Sequence, residues 1–373
     1  KKNERLAIFT SFVFNNSKLK LVKNNYKVIG IMSGTSLDGI DLSCVNFRLD
    51  KFWNFDVEAT KTISYSKQWI TRLEELFHAT KESIKAGDES YTLFLAESIN
   101  SFVKEYKLSK IDAICSHGHT LFHDPKKGLT FQLGNRKILA TLTGLNVVCD
   151  FRTQDIKLGG QGAPLVPIGD KFLFRKYEAF LNLGGFSNVS KISDETTIAY
   201  DICAVNTVLN FLAKKKGKSY DLNGDMAKQG KLISPLFNEL ESFEYYQRTP
   251  PKSLGVEWVN SKVLPLLEKY SSNSVENLLN TYTIHIASLI GKNFDYGQKV
   301  LVTGGGAKNN FLIKKIRENQ FANFIVPSEV IIDYKESIIF GFLGVLRLRN
   351  EVNCLASVTG SVRNHSSGNI FTP

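Results

Sequence analysis

Three glycine-bearing turns, each after an apolar run of the β type, carry the residues best suited to holding a phosphate. They are GIMSGTSLDGID at 30–41, FLNLGGFSNVS at 180–190 and VTGGGAKN at 302–309. Such a turn can direct several backbone N–H groups at one anion, and the hydroxyls of Thr35 and Ser36 add donors. A plain hairpin turn uses the same residue types. The Rossmann pattern and a complete Walker A loop are both missing from the sequence, so the anion-binding hypothesis depends on the three turns together.

Two aspartates near these turns are candidates for metal binding and for acid–base chemistry. Asp38, inside the first turn, suits contact with a metal ion or with metal-bound water. Asp201, in AYDICAVN at 199–206, follows a predicted strand and precedes a predicted helix. A carboxylate there could cap the helix or act as a general base.

Two further segments are rich in polar side chains. SHGHTLFHDP at 116–125 contains three of the six histidines, which could bind a metal or form hydrogen bonds to a polar substrate. CDFRTQDIKLGGQGAPLVP at 149–167 has a glycine-rich stretch that is incompatible with a regular helix or strand. Such a loop could line a site, or it could connect two lobes and hold a structural ion pair.

Composition narrows the class of protein. The chain has 373 residues, a length that suggests about two domains, with 43% apolar and 22% charged residues. The net charge is +11, but the lysines are scattered without an arginine-rich stripe, so anionic small molecules are better partners than nucleic acid. No apolar stretch approaches the roughly 18 residues that span a membrane. We therefore expect neither a nucleic-acid nor a membrane partner.

The cysteines and residues 1–26 give information about the cellular compartment of the protein. The five cysteines include no CxxC pair, which argues against a disulfide framework or a zinc knuckle and favours a reducing compartment. In residues 1–26, basic residues precede LAIFTSFVF as in a signal peptide, but no small-residue cleavage pattern follows. We interpret this segment as an extra strand or a leader of unknown role.

The elements that must position these residues alternate between strand and helix, which is typical of an α/β fold. Strand, glycine turn and strand occur at the start of the first half and again at the start of the second. This repetition suits two related α/β lobes with a cleft between them. Helices are predicted, from the spacing of apolar residues, at 67–79, 87–107, 203–216, 228–243, 260–271, 274–293 and 335–349. A further helix at 136–144 is predicted to stop at Gly144, and IDAICSHG at 111–118 is predicted to be a buried strand that ends at the histidines.

Six of these segments, in this order, resemble the anhydro-N-acetylmuramic acid kinase family. The resemblance extends from about Lys27 to the C terminus, and the combination of GTSLDGID with GGQGAPLVP is its most specific part. The segments are GIMSGTSLDGID, SHGHTLFHDP, FQLGN, DFRTQDIKLGGQGAPLVP, LNLGGFSNVS and VTGGGAKN.

The resemblance implies the fold shared by actin, hexokinase and Hsp70. Two RNase H-like lobes would bind nucleotide and sugar in the cleft between them. The first lobe would comprise 27–174 plus 336–351 and the second 175–335, with 352–373 as a C-terminal tail. The family reaction opens the 1,6-anhydro bridge of anhydro-N-acetylmuramic acid with water and phosphorylates O6 from ATP, within peptidoglycan recycling.

The resemblance also implies roles for individual residues. Asp201 would be the general base, Asp38 would contact the metal as well as ATP, and Mg²⁺–ATP would be the phosphoryl donor. ATP would be bound by Gly34, Thr35, Ser36, Asp38, Gly39, Gly184, Gly185, Thr303, Gly304, Gly305 and Gly306. The sugar would be contacted, or its site supported, by His119, Thr120, Arg152, Asn206 and Glu336.

Alternatives remain at this point. Asp150 is the rival base, although nearby Arg152 is predicted to pair with it and lower its basicity. Family members usually have Gly-Pro-Gly where this chain has Cys203-Ala204-Val205, which opens the choice of sugar to question. Two alternative functions remain: a kinase for another amino sugar, and an actin- or Hsp70-like ATPase that moves partners.

The resemblance also implies that the protein is a cytoplasmic homodimer.

Overall fold

The computed structural model describes residues 23–34, 37–192, 197–250, 252–318 and 322–373. Thr35 and Ser36, both predicted to bind ATP, lie outside the described residues, and so does most of the leader predicted at 1–26.

The strands are β1 to β12 in chain order. They comprise Asn25–Ser33, Gly39–Leu49, Trp53–Ser64, Ala113–Asp124, Leu129–Leu133, Val147–Cys149, Ala179–Leu183, Phe186–Ile192, Thr197–Ala204, Lys299–Thr303, Asn323–Ile325 and Asn369–Phe371.

The helices are α1 to α14 in chain order, and a π-helical turn at Val259–Val263 separates α9 from α10. They comprise Lys67–Leu76, Lys81–Glu105, Ile138–Thr143, Thr153–Lys157, Val166–Leu173, Asn206–Lys214, Asp225–Gln229, Ser234–Glu241, Val256–Trp258, Leu264–Lys269, Val275–Gly291, Asn310–Glu318, Glu329–Leu348 and Ala356–Thr359.

The two sheets repeat one topology. In the first, β1, β2 and β3 form an antiparallel meander, and β4 and then β6 add parallel to the other side of β1. In the second, β7, β8 and β9 form the meander, and β10 and β11 add parallel beyond β7. Strands β5 and β12 extend the first sheet, pairing with β4 and β6. This repeated order, with helices between the parallel strands, confirms the predicted α/β fold of two RNase H-like lobes.

Several predicted elements differ in length. The predicted helix at 228–243 is two short helices, α7 and α8, because Gly230 and the Pro235 region interrupt it. The last long helix begins at Glu329, six residues before the predicted start, and Ser328 precedes it in an extended conformation. The strand predicted to end near the histidines continues through them to Asp124, because its second half pairs with β5. The predicted stop at Gly144 is confirmed, since Gly144 adopts φ 66°.

One face of the first sheet is covered by α13. This helix has buried apolar side chains along its second half, among them Ile338, Phe342 and Val345, and they pack with Val28 and Phe47 from β1 and β2. A second cluster covers the other face of the first sheet and a third fills the second lobe. No described helix is both long and apolar enough to cross a membrane. The predicted boundaries of the lobes stay a prediction.

Gly30 allows β1 and α13 to approach closely. A Cβ at this position would lie 1.9 Å from the carbonyl oxygen of Ser337 and 2.8 Å from the backbone nitrogen of Gly341. Both obstacles are backbone atoms, so a side chain cannot be accommodated by a rotamer change. The helix that carries Glu336 is therefore held against the strand that leads into the first glycine turn.

We expect Gly30→Ala to lower the free energy of unfolding by roughly 1–3 kcal/mol or more, because it overpacks this contact. Urea denaturation measures the change. Gly341→Ala, on the helix side of the contact, is the matched control: its Cβ would have no atom nearer than 3.4 Å, and alanine is the better helix former. Equal destabilisation by the two substitutions would contradict the assignment.

Candidate active site

A cavity of about 600 Å³ lies between the two sheets and is rich in charged side chains. Its walls come from β2, α5, β8, β9, the segment after β10 and α13, so both halves of the chain form it. Its charged lining residues are Asp41, Asp170, Asp201, Lys252, Asp333, Lys335 and Glu336. The amides of Asn182 and Asn188, the hydroxyl of Ser190, and Thr303 with Gly304 also line it.

Asp201 lies in this cavity, inside β9 rather than after it. Its Oδ2 accepts a hydrogen bond of 2.9 Å from the backbone N–H of Leu254, and its own backbone N–H donates to the carbonyl of Lys252. Helix α6 begins at Asn206 after Val205 and has no side-chain cap. The capping alternative for Asp201 is therefore wrong, and the carboxylate is half-buried at the wall of the cleft.

Asp41 extends the acidic character of the cleft. Burial raises its pKa, a hydrogen bond from Thr62 lowers it, and the neighbouring carboxylates of Asp38 and Asp333 raise it further. The Thr62 hydroxyl donates to Asp41 Oδ1 at 2.6 Å. Asp41 thus lies near two other carboxylates that disfavour its charged form, and a divalent cation would relieve that repulsion.

Asp170 and Lys335 form a buried ion pair at another wall. Lys335 Nζ lies 2.6 Å from Asp170 Oδ1, and both side chains are almost fully buried. Burial raises the pKa of Asp170 and Lys335 opposes that rise. The ammonium also lies over the rings of Phe174 and Phe180. Sequence reasoning missed this pair, although Asp170 follows the GGQGAPLVP segment by only a few residues.

Glu336 and Arg152 interact electrostatically at the base of the cleft. Glu336 is exposed to the open cleft; desolvation by the surrounding protein raises its pKa, whereas Lys335 and Arg152 lower it. Arg152 Nε donates to His117 Nε2 at 2.8 Å, and its Nη1 donates to the carbonyl of Gly162. Arg152 therefore connects the histidine segment to the glycine-rich loop rather than lining the cavity itself.

The predicted ion pair between Asp150 and Arg152 is wrong. Asp150 accepts hydrogen bonds from the backbone N–H of Thr153 and from Asn369, and burial raises its pKa. Arg152 points to His117 and Gly162 instead. Asp150 is thus held at the start of α4, outside the residues that line the cleft.

His119 and Thr120 lie on β4, behind the lining of the cavity. His119 is buried, and its Nδ1 lies 2.9 Å from the hydroxyl of Ser33, which in turn contacts Tyr65. Burial lowers the pKa of His119 to about 4, so the ring is neutral near neutral pH. Ser33 ends β1 immediately before the first glycine turn, so His119 supports that turn. Thr120 pairs with Gln132 of β5.

The first and second glycine turns close the ends of β1 and β7. A Cβ at Gly39 would lie 2.4 Å from the carbonyl oxygen of Ile63, so this position needs glycine on steric grounds. The carbonyl oxygen of Gly185 points at the start of α6. There it accepts hydrogen bonds from the N–H groups of Val205 and Thr207 and from the Thr207 hydroxyl. Gly184 accepts from the N–H of Asn206 in the same way. The second turn thus fixes the position of α6.

The third glycine segment separates two cavities. Thr303 and Gly304 line the cavity that holds Asp201, whereas Gly305 lines a second cavity of about 580 Å³. Gly304 has φ 82°, and a Cβ there would lie 2.4 Å from Asn182 Oδ1. At Gly305 a Cβ would have no protein atom nearer than 3.8 Å. The segment is therefore tight on its protein side and open toward the second cavity.

The second cavity combines amides with apolar surface. Asn206 reaches it from α6, where its side-chain N–H₂ donates to the carbonyl of Leu183. Its size and mixed lining suit a flat, partly polar group. The remaining lining residues include Tyr220, Asn223, Lys308, Asn310, Val326 and Ile332.

The departure at Cys203-Ala204-Val205 has a structural explanation. Cys203 and Ala204 continue β9, and Val205 makes the bend with φ −122° and ψ −94° before α6 begins. All three side chains are fully buried, and the hydroxyl of Ser187 contacts Cys203. The bend is made without glycine because its side chains pack into the core of the second lobe.

The repeated topology and the cleft between the sheets define a two-lobed α/β protein of the actin- and hexokinase-like class. The sequence model of the anhydro-N-acetylmuramic acid kinase family matches residues 26–373. The chain therefore belongs to the anhydro-N-acetylmuramic acid kinase family, and the predicted resemblance is confirmed.

Individual relatives agree with this assignment. An anhydro-N-acetylmuramic acid kinase of Mannheimia succiniciproducens is 34% identical over 372 residues, which cover 92% of this chain and 98% of the relative. That of Haemophilus influenzae is 32% identical, with 92% and 97% covered. Among solved structures, the activator of the 2-hydroxyisocaproyl-CoA dehydratase from Clostridium difficile with bound ADPNP aligns with a TM-score of 0.44 at 13% identity, covering 87% of this chain and 97% of that one.

Proposed function

We propose that this protein uses ATP and water to convert 1,6-anhydro-N-acetylmuramic acid into N-acetylmuramic acid 6-phosphate, as a step of peptidoglycan recycling. The observation that carries the proposal is the arrangement of two cavities on either side of one glycine segment, with Asp201 in the more acidic of them. Membership of the family supplies the sugar. The family also disfavours the alternative functions, another amino sugar or a partner-moving ATPase.

The nucleotide would lie across the glycine segment. Gly305 leaves room for close approach of a ligand, and the cavity beyond it, with Asn206 and Tyr220, would take the adenosine. The phosphates would point past Thr303 and Gly304 into the first cavity. There the backbone N–H groups of the first glycine turn, including Gly34 and the predicted Thr35 and Ser36, would meet them.

Asp201 would act as general base on the sugar side. It would take a proton from water as the water oxygen bonds to C1 of the sugar, and the C1–O6 bond would break. O6 would then bond to the γ-phosphorus while the bond to ADP breaks, so that one deprotonation serves both steps. Lys252, close to the segment that hydrogen-bonds Asp201, contributes positive charge at the same wall.

Carboxylates near the first glycine turn fit a magnesium ion. Asp38 and Asp41 repel each other there, and oxygen ligands from carboxylates are those that Mg²⁺ prefers. When bound, Mg²⁺ would neutralise charge that develops on the phosphate oxygens. His119, Thr120, Arg152 and Glu336 would orient the sugar or hold the surrounding segments, as their positions behind and at the base of the cleft suggest.

Release of ADP tests the proposal directly. We expect ADP to form from ATP and Mg²⁺ only when the anhydro sugar is present, and we expect EDTA to stop the reaction. Mass spectrometry of the product should show one water and one phosphoryl group added to the sugar. Equal ADP release without any sugar would favour the ATPase alternative, and faster transfer to an ordinary amino sugar would favour the other kinase. We further propose that the protein is a cytoplasmic homodimer. Size-exclusion chromatography with light scattering tests whether it forms a dimer.

A further inference from the structure

A buried group of potential metal ligands lies outside the cleft, where the C-terminal segment meets α4. Asp155 belongs to α4, whereas Cys354 and His365 pair with each other across an antiparallel bridge after α13. The carboxylate oxygen, the sulfur and the imidazole nitrogen all lie within 4.8 Å of one another. All three residues are buried, with exposures of 0%, 2% and 5%.

The imidazole of His365 has a nitrogen without a partner. Its Nδ1 lies 3.1 Å from the carbonyl oxygen of Arg363, an acceptor, so the ring proton belongs on Nδ1. With a single ring proton placed there, Nε2 carries a lone pair; this nitrogen is buried and has no hydrogen-bond partner among the described residues. Nε2 points instead toward Asp155 Oδ1, 3.5 Å away. Two buried acceptors that face each other are unfavourable unless a proton or a metal cation lies between them.

The other contacts of Asp155 keep its carboxylate in place. Oδ1 accepts from the Thr359 hydroxyl at 2.7 Å and from the Cys354 thiol at 3.1 Å, while Oδ2 accepts from the N–H of Gly162 at 2.7 Å. Burial would raise the pKa of Asp155, but these hydrogen bonds hold it below its ordinary value. The three donors fix the carboxylate so that Oδ1 faces both the sulfur and the imidazole.

We propose that Asp155, Cys354 and His365 bind a zinc ion, with the hydroxyl of Thr359 or a water molecule as the fourth ligand. Thiolate, imidazole and carboxylate are the ligands typical of zinc, and a tetrahedral site would place their donor atoms roughly 3.3–3.6 Å apart. Two of the three separations, 3.1 Å between oxygen and sulfur and 3.5 Å between oxygen and nitrogen, are close to that range, and the sulfur and nitrogen lie within 4.8 Å of each other. The hydrogen bond from Nδ1 to a carbonyl is the usual outer contact of a zinc-bound histidine.

Binding replaces a proton by the metal. In the metal-free structure the Cys354 thiol donates its proton to Asp155 Oδ1 at 3.1 Å. When Zn²⁺ bonds to the sulfur, the thiol proton leaves to solvent, and no electron is transferred. The uptake of zinc should therefore weaken as the pH falls.

The site would join the C-terminal segment to the loop of the cleft. Asp155 holds Gly162 through its other oxygen, and Gly162 also accepts from Arg152. Pro164, two residues further on, lines the cavity that contains Asp201. The zinc would thus stabilise the folded position of a loop at the cleft without touching a substrate.

Cobalt provides an optical test on the full-length protein. After removal of bound metal with a chelator, we expect one Co²⁺ per chain to bind, with the near-ultraviolet absorption of a thiolate–cobalt bond, and Zn²⁺ to displace it. We also expect Zn²⁺ to raise the midpoint of thermal unfolding. Cys354→Ala and His365→Ala should lose the absorption, while Cys44→Ala, which removes another buried thiol, should keep it.

Three results would overturn the proposal. The first is the lack of thiolate–cobalt absorption in the unmodified protein at micromolar Co²⁺, which decides the question even if the variants fail to fold. The second is the same absorption in Cys354→Ala as in the parent. The third is an Nε2 proton on His365 at neutral pH, seen by NMR in protein that takes up no zinc, which would show that a proton occupies the place of the metal.

Discussion

Asp201→Asn should lower kcat by at least about 10²-fold, because it removes the base that deprotonates water. The amide preserves the shape of the side chain, and its oxygen can still accept the hydrogen bond that Leu254 donates. The folded structure and the affinity for ATP should therefore change little. Steady-state release of ADP gives kcat, and fluorescence of a bound nucleotide analogue gives the affinity.

Asp150→Asn is the matched control for this prediction. Asp150 is likewise an aspartate on an element of a sheet, directly after β6, but its oxygens are engaged by Thr153 and Asn369. Its replacement should affect stability more than turnover. Near-normal turnover in Asp201→Asn together with loss of activity in Asp150→Asn would transfer the role of base to Asp150.

Residues whose roles depend on local pattern were predictable from the sequence. The glycine turns, the strands before them and the helix stop at Gly144 follow from backbone preferences that operate over a few residues. The repeat of a glycine-bearing hairpin in each half predicted two lobes, and the sheets have the same strand order. The early start of α13 at Glu329 was missed because its first turns are half-exposed and lack a strong apolar period.

Residues whose roles depend on contacts distant in sequence were not predictable. Asp170 pairs with Lys335, and Asp155 meets Cys354 and His365, across large separations in the chain. The spacing rule that argued against a zinc knuckle examines only neighbouring cysteines, so it could not detect ligands contributed by separate segments. The predicted ion pair between Asp150 and Arg152 is wrong for the opposite reason. These residues are close in sequence, but closeness in sequence does not determine where the side chains point.

The open side of the third glycine segment makes Gly305 a probe of nucleotide binding. At Gly304 an added Cβ would lie within 3 Å of Asn182 and of the backbone of Leu183, so a substitution there would disturb the protein itself. At Gly305 the nearest protein atom to an added Cβ is Asn206 Nδ2, at 3.8 Å. A side chain on Gly305 would therefore fill the space next to the second cavity rather than the core.

We expect Gly305→Val to weaken ATP binding by about tenfold or more, since two methyl groups would keep the nucleotide from the backbone, and each tenfold loss corresponds to about 1.4 kcal/mol. Gly305→Ala should have a smaller effect in the same direction, and the thermal midpoint of both variants should stay near that of the parent protein. Isothermal titration with a non-hydrolysable ATP analogue measures the affinity without turnover. The assignment of the nucleotide to this segment would be wrong if Gly305→Val kept the parent affinity, because no nucleotide could then lie against the glycine backbone.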